Sequence, residues 1–313
     1  MSRPSRPFLP RWLPAMHLLR LIGLALLGLH ASRASDWDYG GEHGPENWTG
    51  ICKTGKKQSP IDIVTDEAIR SDLGALKFDR YDFAFPGTVT NTGHSVQVKL
   101  GGVPIHVSGS NLPSLYVLEQ MHFHWDAEHT VDSTRYPLEL HFVHYDIQYE
   151  NFSVAAEHEN GVVVVAVLFE LSAEDNVDLT VILKLTEMVS HWVGKSMVTI
   201  QKKLIPFLLL PKDHTTYYHY QGSLTTPGCQ ESVMWFIMTE RLTVSETQVN
   251  VFKSVMNGDY ALQHNYRPVQ LLGDRKVYHR LEGYSAASSF TSSVVSSILS
   301  VILVRLLQSC EGF

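Results

Sequence analysis

Apolar and polar residues alternate with a period of two along several segments in the middle of the chain, which is the spacing of a β-strand with two different faces. These segments are rich in Val, Phe and Tyr, and Gly, Pro or Asn bounds them. Val162–Val167 is an unbroken apolar run, which indicates either a central strand covered on both faces or a short buried helix. The predicted strands are His94–Leu100, Val103–Val107, Leu115–Trp125, Leu138–Tyr145 and Val162–Leu171.

Two segments are typical of helices. One is Asp178–Trp192, and the other begins at Ser245, where Gln248 completes a capping box. Because strands dominate and the helices are few and late, the pattern favours an α+β or mainly β fold over an alternating βαβ fold. No repeat or low-complexity linker divides residues 35–285, so we expect a single domain. The predicted apolar face of the second helix consists of Val249, Phe252 and Met256.

The first 34 residues differ from the rest of the chain. They carry five arginines and no acidic residue, and their apolar run Leu21–Leu29 is shorter than the roughly 20 residues that span a bilayer. This pattern predicts a secretory signal peptide over residues 1–34. Without those five arginines, 20 basic side chains face 32 acidic ones, so the formal charge falls from −7 to −12 and nucleic acid is not an expected partner.

The carboxyl terminus resembles a signal for attachment of a glycosylphosphatidylinositol (GPI) lipid. Three small residues, Ser285-Ala286-Ala287, lie shortly before the apolar run Val294–Leu307. We expect lipid attachment at Ser285 and removal of residues 286–313, which would hold the protein at the outer face of the cell membrane. The alternative is a terminal helix on a protein that is simply secreted.

The predicted export takes the three cysteines through an oxidising compartment, where disulfides can form. Cys52 and Cys229 lie inside the predicted domain and are expected to form one disulfide, with two free buried thiols as the alternative, while Cys310 lies in the tail. Asn47 and Asn151 each begin an N-glycosylation acceptor pattern, so both are candidate glycan sites.

Three histidines carry the main indication of chemistry. His122 and His124 are two residues apart in a predicted strand, so their imidazoles share a face, and the alternation in Glu139–Val143 makes His141 available as a third. Three imidazoles without an obvious fourth protein ligand are typical of a catalytic Zn²⁺ site with a position open to water. Gln120 and Glu139 are expected to accept hydrogen bonds from the outer ring nitrogens of His122 and His141.

This trio of histidines does not by itself identify a substrate. It also fits a metalloesterase or a stored-metal site. Because the chain has 16 histidines, ordinary surface or packed histidines remain an alternative.

Longer motifs resemble the α-carbonic anhydrase family in the order in which they occur. The resemblance covers residues 36–280. It implies one domain around a twisted, mostly antiparallel sheet of about ten strands with peripheral helices, and a metal at the base of a conical cleft. The matching motifs are Trp37–Gly40, Gln58–Ile63, Gln120–Trp125, Glu128–Asp132, Glu139–His144, Gly222–Pro227 and Asn265–Pro268.

The resemblance also implies a reaction. Zn²⁺ held by the three histidines activates water for attack on CO2, which gives bicarbonate and a proton. Thr225 is expected to accept a hydrogen bond from the nucleophile and to donate its own to Glu128, and Asn265 to support the ligands. Without the resemblance, Thr225 would be interpreted as a turn residue. Sulfonamides and inorganic anions are the expected inhibitors.

Substrate and proton routes follow from the same resemblance. CO2 is expected to rest against an apolar wall, and His94 to carry protons to solvent, because an unperturbed imidazole has a pKa of about 6.5. Taken alone, the wall residues would be interpreted as core and His94 as an exposed side chain. The Cys52 and Cys229 pair and the GPI-like tail favour the extracellular carbonic anhydrase IV branch. The expected wall and pocket residues are Val143, Val165, Leu224, Thr226, Val233 and Trp235.

The chain departs from the family beside the histidines. Only Trp125–Ala127 separates His124 from Glu128, where the family usually has about six more residues, although four residue steps still span up to about 13 Å. Thr92 and Gln97 stand where asparagines are common, so we expect slower proton transfer. The shortened loop is the feature that favours the second hypothesis, a weakly active or non-catalytic binding domain at the cell surface.

Overall fold

The computed structural model describes residues 37–194 and 197–281. The predicted signal peptide over residues 1–34, the predicted lipid-attachment residue Ser285, the tail over residues 286–313 and Cys310 lie outside the described residues. Within the described ranges, no helix has both the length and the apolar character needed to cross a bilayer.

Strands are the main regular secondary structure of the described chain. The strands are β1 (Asp62–Ile63), β2 (Ile69–Arg70), β3 (Leu76–Asp79), β4 (Phe85–Asn91), β5 (Val96–Leu100), β6 (His106–Gly109), β7 (Tyr116–Trp125), β8 (Thr130–Val131), β9 (Thr134–Arg135), β10 (Leu138–Asp146), β11 (Val162–Ser172), β12 (Met197–Leu204), β13 (Tyr217–Gly222), β14 (Val233–Met238), β15 (Leu242–Ser245) and β16 (Tyr278–Arg280). The α-helices are α1 (Ile51–Thr54), α2 (Phe152–Ala155), α3 (Thr180–Val189) and α4 (Glu246–Lys253). Short 3₁₀ helices cover Gly41–His43, Pro45–Asn47, Thr65–Glu67, Val177–Leu179 and Pro206–Leu209.

A large sheet organises these elements. Ten strands follow one another across it in the order β12-β4-β5-β7-β10-β11-β14-β13-β16-β2. Off this path, β15 pairs with β11, and β6 joins β3 to β7. Most neighbours are antiparallel, with β11 parallel to β14 as the central exception. A separate three-stranded sheet joins β1, β8 and β9. The expected fold class is confirmed.

The apolar run at Val162–Val167 forms part of β11, which lies between β10 and β14. All six of its side chains are buried, so the interpretation as a central strand covered on both faces is confirmed. Even-numbered residues of the run pack into one apolar cluster and odd-numbered residues from Val163 to Val167 into the other. We call the cluster of the even-numbered residues, which includes Val143, the site face. We call the cluster of the odd-numbered residues, which includes Phe252, the helix face.

The helix predictions are confirmed in place and corrected in extent. The segment predicted as Asp178–Trp192 starts with a 3₁₀ turn, and its α-helix ends at Val189. The capping box at Ser245 is present, and Val249 and Phe252 of α4 are buried on the helix face. The placement of Met256 on the same helical face is wrong, because α4 ends at Lys253 and Met256 instead bridges to Ala261.

Candidate metal centre

Two antiparallel neighbours, β7 and β10, bring the three predicted histidine ligands together. His141 pairs directly with His122 in the ladder, and His124 pairs with Glu139. Because alternate residues of a strand share a face, His122 and His124 point to the side on which His141 lies. The ligand nitrogens of the three rings all lie within 4.8 Å of one another.

The donor set fits a tetrahedral zinc site. His141 Nδ1 and His122 Nε2 are 3.2 Å apart, close to the separation of about 3.3 Å expected between two nitrogens that bind one Zn²⁺ at about 2.0 Å. His124 Nε2 is buried and has no hydrogen-bond partner among the described residues. A buried polar atom without a hydrogen-bond partner is unfavourable unless it binds something else, and a metal ion bound to this nitrogen would satisfy it.

The other nitrogen of each ring is hydrogen-bonded, which fixes the ring's orientation. His122 Nδ1 lies 2.9 Å from Gln120 Oε1, and His141 Nε2 lies 2.7 Å from Glu139 Oε1, so both predicted hydrogen bonds are present. His124 Nδ1 lies 2.6 Å from the main-chain oxygen of Asn265. With those nitrogens engaged as donors, the remaining nitrogen of each neutral ring has a lone pair for a metal.

Burial sets the charge state of the site. Burial, and then the neighbouring His124 and His141, hold the pKa of His122 well below its ordinary value. Burial also lowers the pKa of His124. Burial alone would raise the pKa of Glu139, but the adjacent His129 and His141 outweigh it and keep that pKa well below its ordinary value. Burial therefore favours the neutral form of His122 and His124, the form in which an imidazole can bind a metal, beside an ionised Glu139.

A second row of side chains, which the sequence analysis did not assign, supports Glu139. Its carboxylate also accepts from the His129 main-chain N–H at 2.9 Å and lies 2.7 Å from His129 Nδ1. Tyr220 hydroxyl lies 2.7 Å from His129 Nε2 and 2.8 Å from Ser59 Oγ. These residues come from three distant segments: Ser59 and His129 lie within the quoted motifs, whereas Tyr220 lies outside all of them.

Glu128 lies beside the histidines despite the short loop. It is fully buried, its Oε1 accepts from the Arg267 main-chain N–H at 3.0 Å, and its Oε2 lies 3.4 Å from His124 Nε2. That second oxygen has no hydrogen-bond partner within the described chain, so the expected bond from Thr225 is not formed in this structure. Thr225 itself is buried, in the segment that follows β13.

Asn265 connects the ligand strand to the segment that carries His94. Its Oδ1 accepts from the Trp125 main-chain N–H at 2.7 Å. Its Nδ2 donates to the main-chain oxygens of Phe123 and His94, each at 2.9 Å. Together with the bond from His124 to its main chain, these contacts support the ligand strand as expected.

His94 is half-buried and lies flat against Trp37, with ring centroids 3.6 Å apart. Burial lowers the pKa of His94, and the nearby Asp38 charge opposes that shift. Thr92 Oγ1 is engaged in the preceding turn, where it donates to the Ser95 main-chain oxygen at 3.0 Å. The structure thus places His94 on a tight turn near Asn265, with an imidazole whose pKa is lowered by burial.

The expected apolar wall forms with one correction. Val143, Val233 and Trp235 are buried on the site face, and Leu224 packs against it. The prediction that Val165 joins them is wrong: Val165 belongs to the helix face. Val164 takes the place on the site face, because it pairs directly with Val143 on one side and with Trp235 on the other. Thr226 is half-buried, and its main-chain oxygen accepts from Cys229 at 3.0 Å.

The predicted disulfide joins Cys52 to Cys229 across 177 positions of sequence. The disulfide lies close to Arg267, whose main-chain N–H binds the Glu128 carboxylate. Arg267 Nη2 donates to the Cys52 main-chain oxygen at 2.9 Å. Both candidate glycan residues, Asn47 and Asn151, are exposed.

Comparisons with known proteins agree with this geometry. A family model described as eukaryotic-type carbonic anhydrase matches residues 43–281. Mouse carbonic anhydrase 6 is 33% identical over 275 residues, covering 81% of this chain and 83% of that protein. A putative carbonic anhydrase 3 of Caenorhabditis elegans is 34% identical, covering 78% and 97%, and rat carbonic anhydrase 4 is 32% identical, covering 75% and 79%.

Proposed function

The chain belongs to the eukaryotic-type carbonic anhydrase family, and from that premise we propose that it is a zinc enzyme that interconverts CO2 and bicarbonate. The observation that carries the proposal is that three histidine nitrogens lie within 4.8 Å of one another, and that one of them, His124 Nε2, is buried without a hydrogen-bond partner among the described residues. Zn²⁺ bound there would supply a Lewis acid that makes water a nucleophile near neutral pH, as is established for carbonic anhydrases in general.

The side chains around the histidines keep the ligands ready. Gln120, Glu139 and the main chain of Asn265 each hold one ring in the orientation that leaves its inner nitrogen free for the metal. Because these partners are buried or lie on the sheet, little reorganisation is needed when the metal binds.

The nucleophile is oriented by Thr225 and Glu128. Glu128 Oε1 accepts from the Arg267 main-chain N–H, whereas Oε2 has no hydrogen-bond partner among the described residues and can accept from a hydroxyl. Thr225 can donate to that oxygen and still accept a hydrogen bond from the attacking water, which directs a lone pair of the water towards the substrate.

The apolar wall provides the place for CO2. Val143, Val164 and Trp235 form a continuous row across three neighbouring strands next to the ligand His141, whose ring centroid lies 4.9 Å from that of Trp235. A weakly polar substrate is favoured on such a surface, and the anionic product is not, which assists release of bicarbonate.

His94 carries the proton released by the reaction to solvent. Its position on the turn before β5, half-buried and connected through Asn265 to the ligand strand, supports this role. Imidazole is the side chain best suited to accept and lose a proton near neutral pH, and burial moves the pKa of His94 downward from its ordinary value.

The proposed location is the extracellular face of the cell membrane. The signal peptide over residues 1–34, a mature domain over residues 35–285, lipid attachment at Ser285 and removal of residues 286–313 follow from the sequence. The Cys52–Cys229 disulfide supports export, because such bonds persist in oxidising compartments. Release of the protein from intact cells by phosphatidylinositol-specific phospholipase C tests the anchor, and a mass shift with peptide N-glycosidase tests the glycans at Asn47 and Asn151.

The non-catalytic alternative has less support. It depended on the shortened loop, yet Glu128 Oε2 still lies 3.4 Å from His124 Nε2. All three histidines also retain their outer hydrogen bonds.

The full chain, produced in a secretory eukaryotic host, provides the test. We expect one zinc per protein, rapid CO2 hydration by stopped-flow, and inhibition by acetazolamide and by inorganic anions. His124→Ala should lose the metal and the activity, while His158→Ala, an exposed histidine, should keep both. Folded wild-type protein with zinc but without CO2 hydration would favour the binding-domain alternative.

A further inference from the structure

Arg135 lies between two of the motifs that define the family resemblance and belongs to neither of them. It is on β9, where its main chain pairs with Thr130 of β8, and its side chain is half-buried. Its guanidinium contacts both of the chain segments that hold Glu128 in place.

The first segment is the short turn from which Glu128 arises. Asp126 adopts a φ of 59°, and the Ala127 N–H donates to the Tyr136 main-chain oxygen at 2.8 Å. Positive φ is unfavourable for a non-glycine residue, so this turn needs external support. Arg135 Nη1 supplies it by donating to the main-chain oxygens of Ala127 and Glu128, the second at 3.2 Å.

The second segment is the one that binds the Glu128 carboxylate. Arg135 Cζ lies 4.0 Å from the centroid of the Tyr266 ring, a cation–π distance. Tyr266 stands between Asn265, whose main-chain oxygen contacts His124, and Arg267, whose N–H donates to Glu128 Oε1. One guanidinium therefore joins the main chain of Glu128 to the segment that fixes its side chain.

We propose that Arg135 is a positioning residue for Glu128 in the hydration of CO2. By holding the two segments together, it keeps the Glu128 carboxylate at the distance from His124 at which it can orient the nucleophile through Thr225. This inference rests on the proposed function.

The chemistry of arginine suits this role. A planar guanidinium can donate in its own plane to main-chain oxygens while its face lies on an aromatic ring. A lysine ammonium is a point charge that can donate to an oxygen but cannot stack as a plane. Arg135→Lys should therefore restore only part of what Arg135→Ala loses.

The kinetic test compares Arg135→Ala, Arg135→Lys and a control, Arg280→Ala, in the full zinc-loaded protein. Arg280 is also half-buried and donates to a main-chain oxygen, that of Thr215 at 2.6 Å, but it lies on β16 near the edge of the sheet. We expect kcat for CO2 hydration to fall about ten- to a hundredfold in Arg135→Ala with little change in KM, because a displaced orienting group acts on the transition state. Zinc content should stay at one per protein.

A double-mutant cycle separates positioning from general support of the fold. In a Glu128→Gln background, where the carboxylate can no longer act, Arg135→Ala should lower kcat little further. The proposal would be overturned if Arg135→Ala lowered kcat by the same factor in the Glu128→Gln background as in the wild type. Full activity of the Arg135→Ala single variant would also overturn it. If Arg135→Ala does not fold, the same double-mutant cycle is measured with Arg135→Lys in its place.

Crystal structures of the wild type and of Arg135→Lys provide a readout that needs no activity. We expect the separation of Glu128 Oε1 and Arg267 N, 3.0 Å here, to lengthen beyond about 3.5 Å, the limit of a hydrogen bond. An unchanged separation would refute the role of Arg135. A wild-type protein that binds zinc but does not hydrate CO2 would refute the proposed function alone, and the two crystal structures would still decide whether Arg135 positions Glu128.

Discussion

Glu139 Oε1 lies 2.7 Å from His141 Nε2, and the two residues are two positions apart on one strand, so their side chains share a face. The same carboxylate is hydrogen-bonded to His129, so it is held from one side while it orients the proposed zinc ligand His141 on the other. The orientation of His141 is therefore tied to the packing of the sheet and not to solvent.

Glu139→Gln should weaken zinc binding about 10–100-fold, because the amide keeps the size of the side chain but loses the charge that raises the basicity of His141. Competition with a chelator at fixed pH measures the affinity. Glu119→Gln is the matched control, since Glu119 lies on the neighbouring β7 and pairs with Lys99 at the surface. Equal zinc affinity in the two variants would contradict the role of Glu139.

Loss of the disulfide should lower stability and activity together. The bond closes a long loop, so a Cys52→Ser/Cys229→Ser variant should lose about 2–5 kcal/mol of unfolding free energy. Activity should fall as well, because Cys229 donates to the residue after Thr225 and Cys52 accepts from Arg267. Denaturant unfolding and CO2 hydration measure the two effects. Cys310→Ser serves as the control, and a bridge-free variant with wild-type values would argue against this account.

His94→Ala should lower turnover in weak buffer by up to about a hundredfold, as expected when a positioned proton carrier is removed. Added imidazole should restore the rate, whereas His158→Ala should behave as wild type. Because burial lowers the pKa of His94, the pH dependence of wild-type turnover should have its midpoint below about 6.5. Absence of rescue would exclude His94 as the carrier.

His144 should make the metal-free protein sensitive to acid. It is fully buried against Tyr81 and Val163, and burial lowers the pKa of His144 to about 3. In the unfolded chain its pKa is about 6.5, so between these values only the unfolded state binds the proton and stability falls as pH falls. The slope contributed by this one residue approaches about 1.4 kcal/mol per pH unit.

Urea unfolding of chelator-treated protein from pH 7 to pH 4 tests that slope. His144→Gln should unfold with a shallower pH dependence than wild type, and the other buried histidines contribute equally to both proteins. Identical slopes in the two proteins would show that His144 is not the acid-sensitive group.

The period of two along β7 and β10 was enough to predict that His122, His124 and His141 converge. The polar histidines alternate with apolar residues there, which shows the face of each strand on which the histidines lie. The run Val162–Val167 contains no such marker, so the sequence could not decide between Val164 and Val165, and only the pairing of Val164 with Val143 and Trp235 does. Arg267 and Tyr220 act across long sequence separations, as does the contact of Arg135 with Tyr266, and no local pattern encodes these contacts. The end of α4 before Met256 was also missed, because a favourable apolar spacing continues past the last helical turn.

Asn265 has a consequence for anyone who wants to redesign this molecule. Its side-chain amide bonds the main chain at His94 and on both sides of His124, so under the proposed function a substitution there would disturb the proton carrier and the zinc ligands together. Improving one property through this position would sacrifice the other. Directed evolution of faster variants should therefore leave residue 265 untouched.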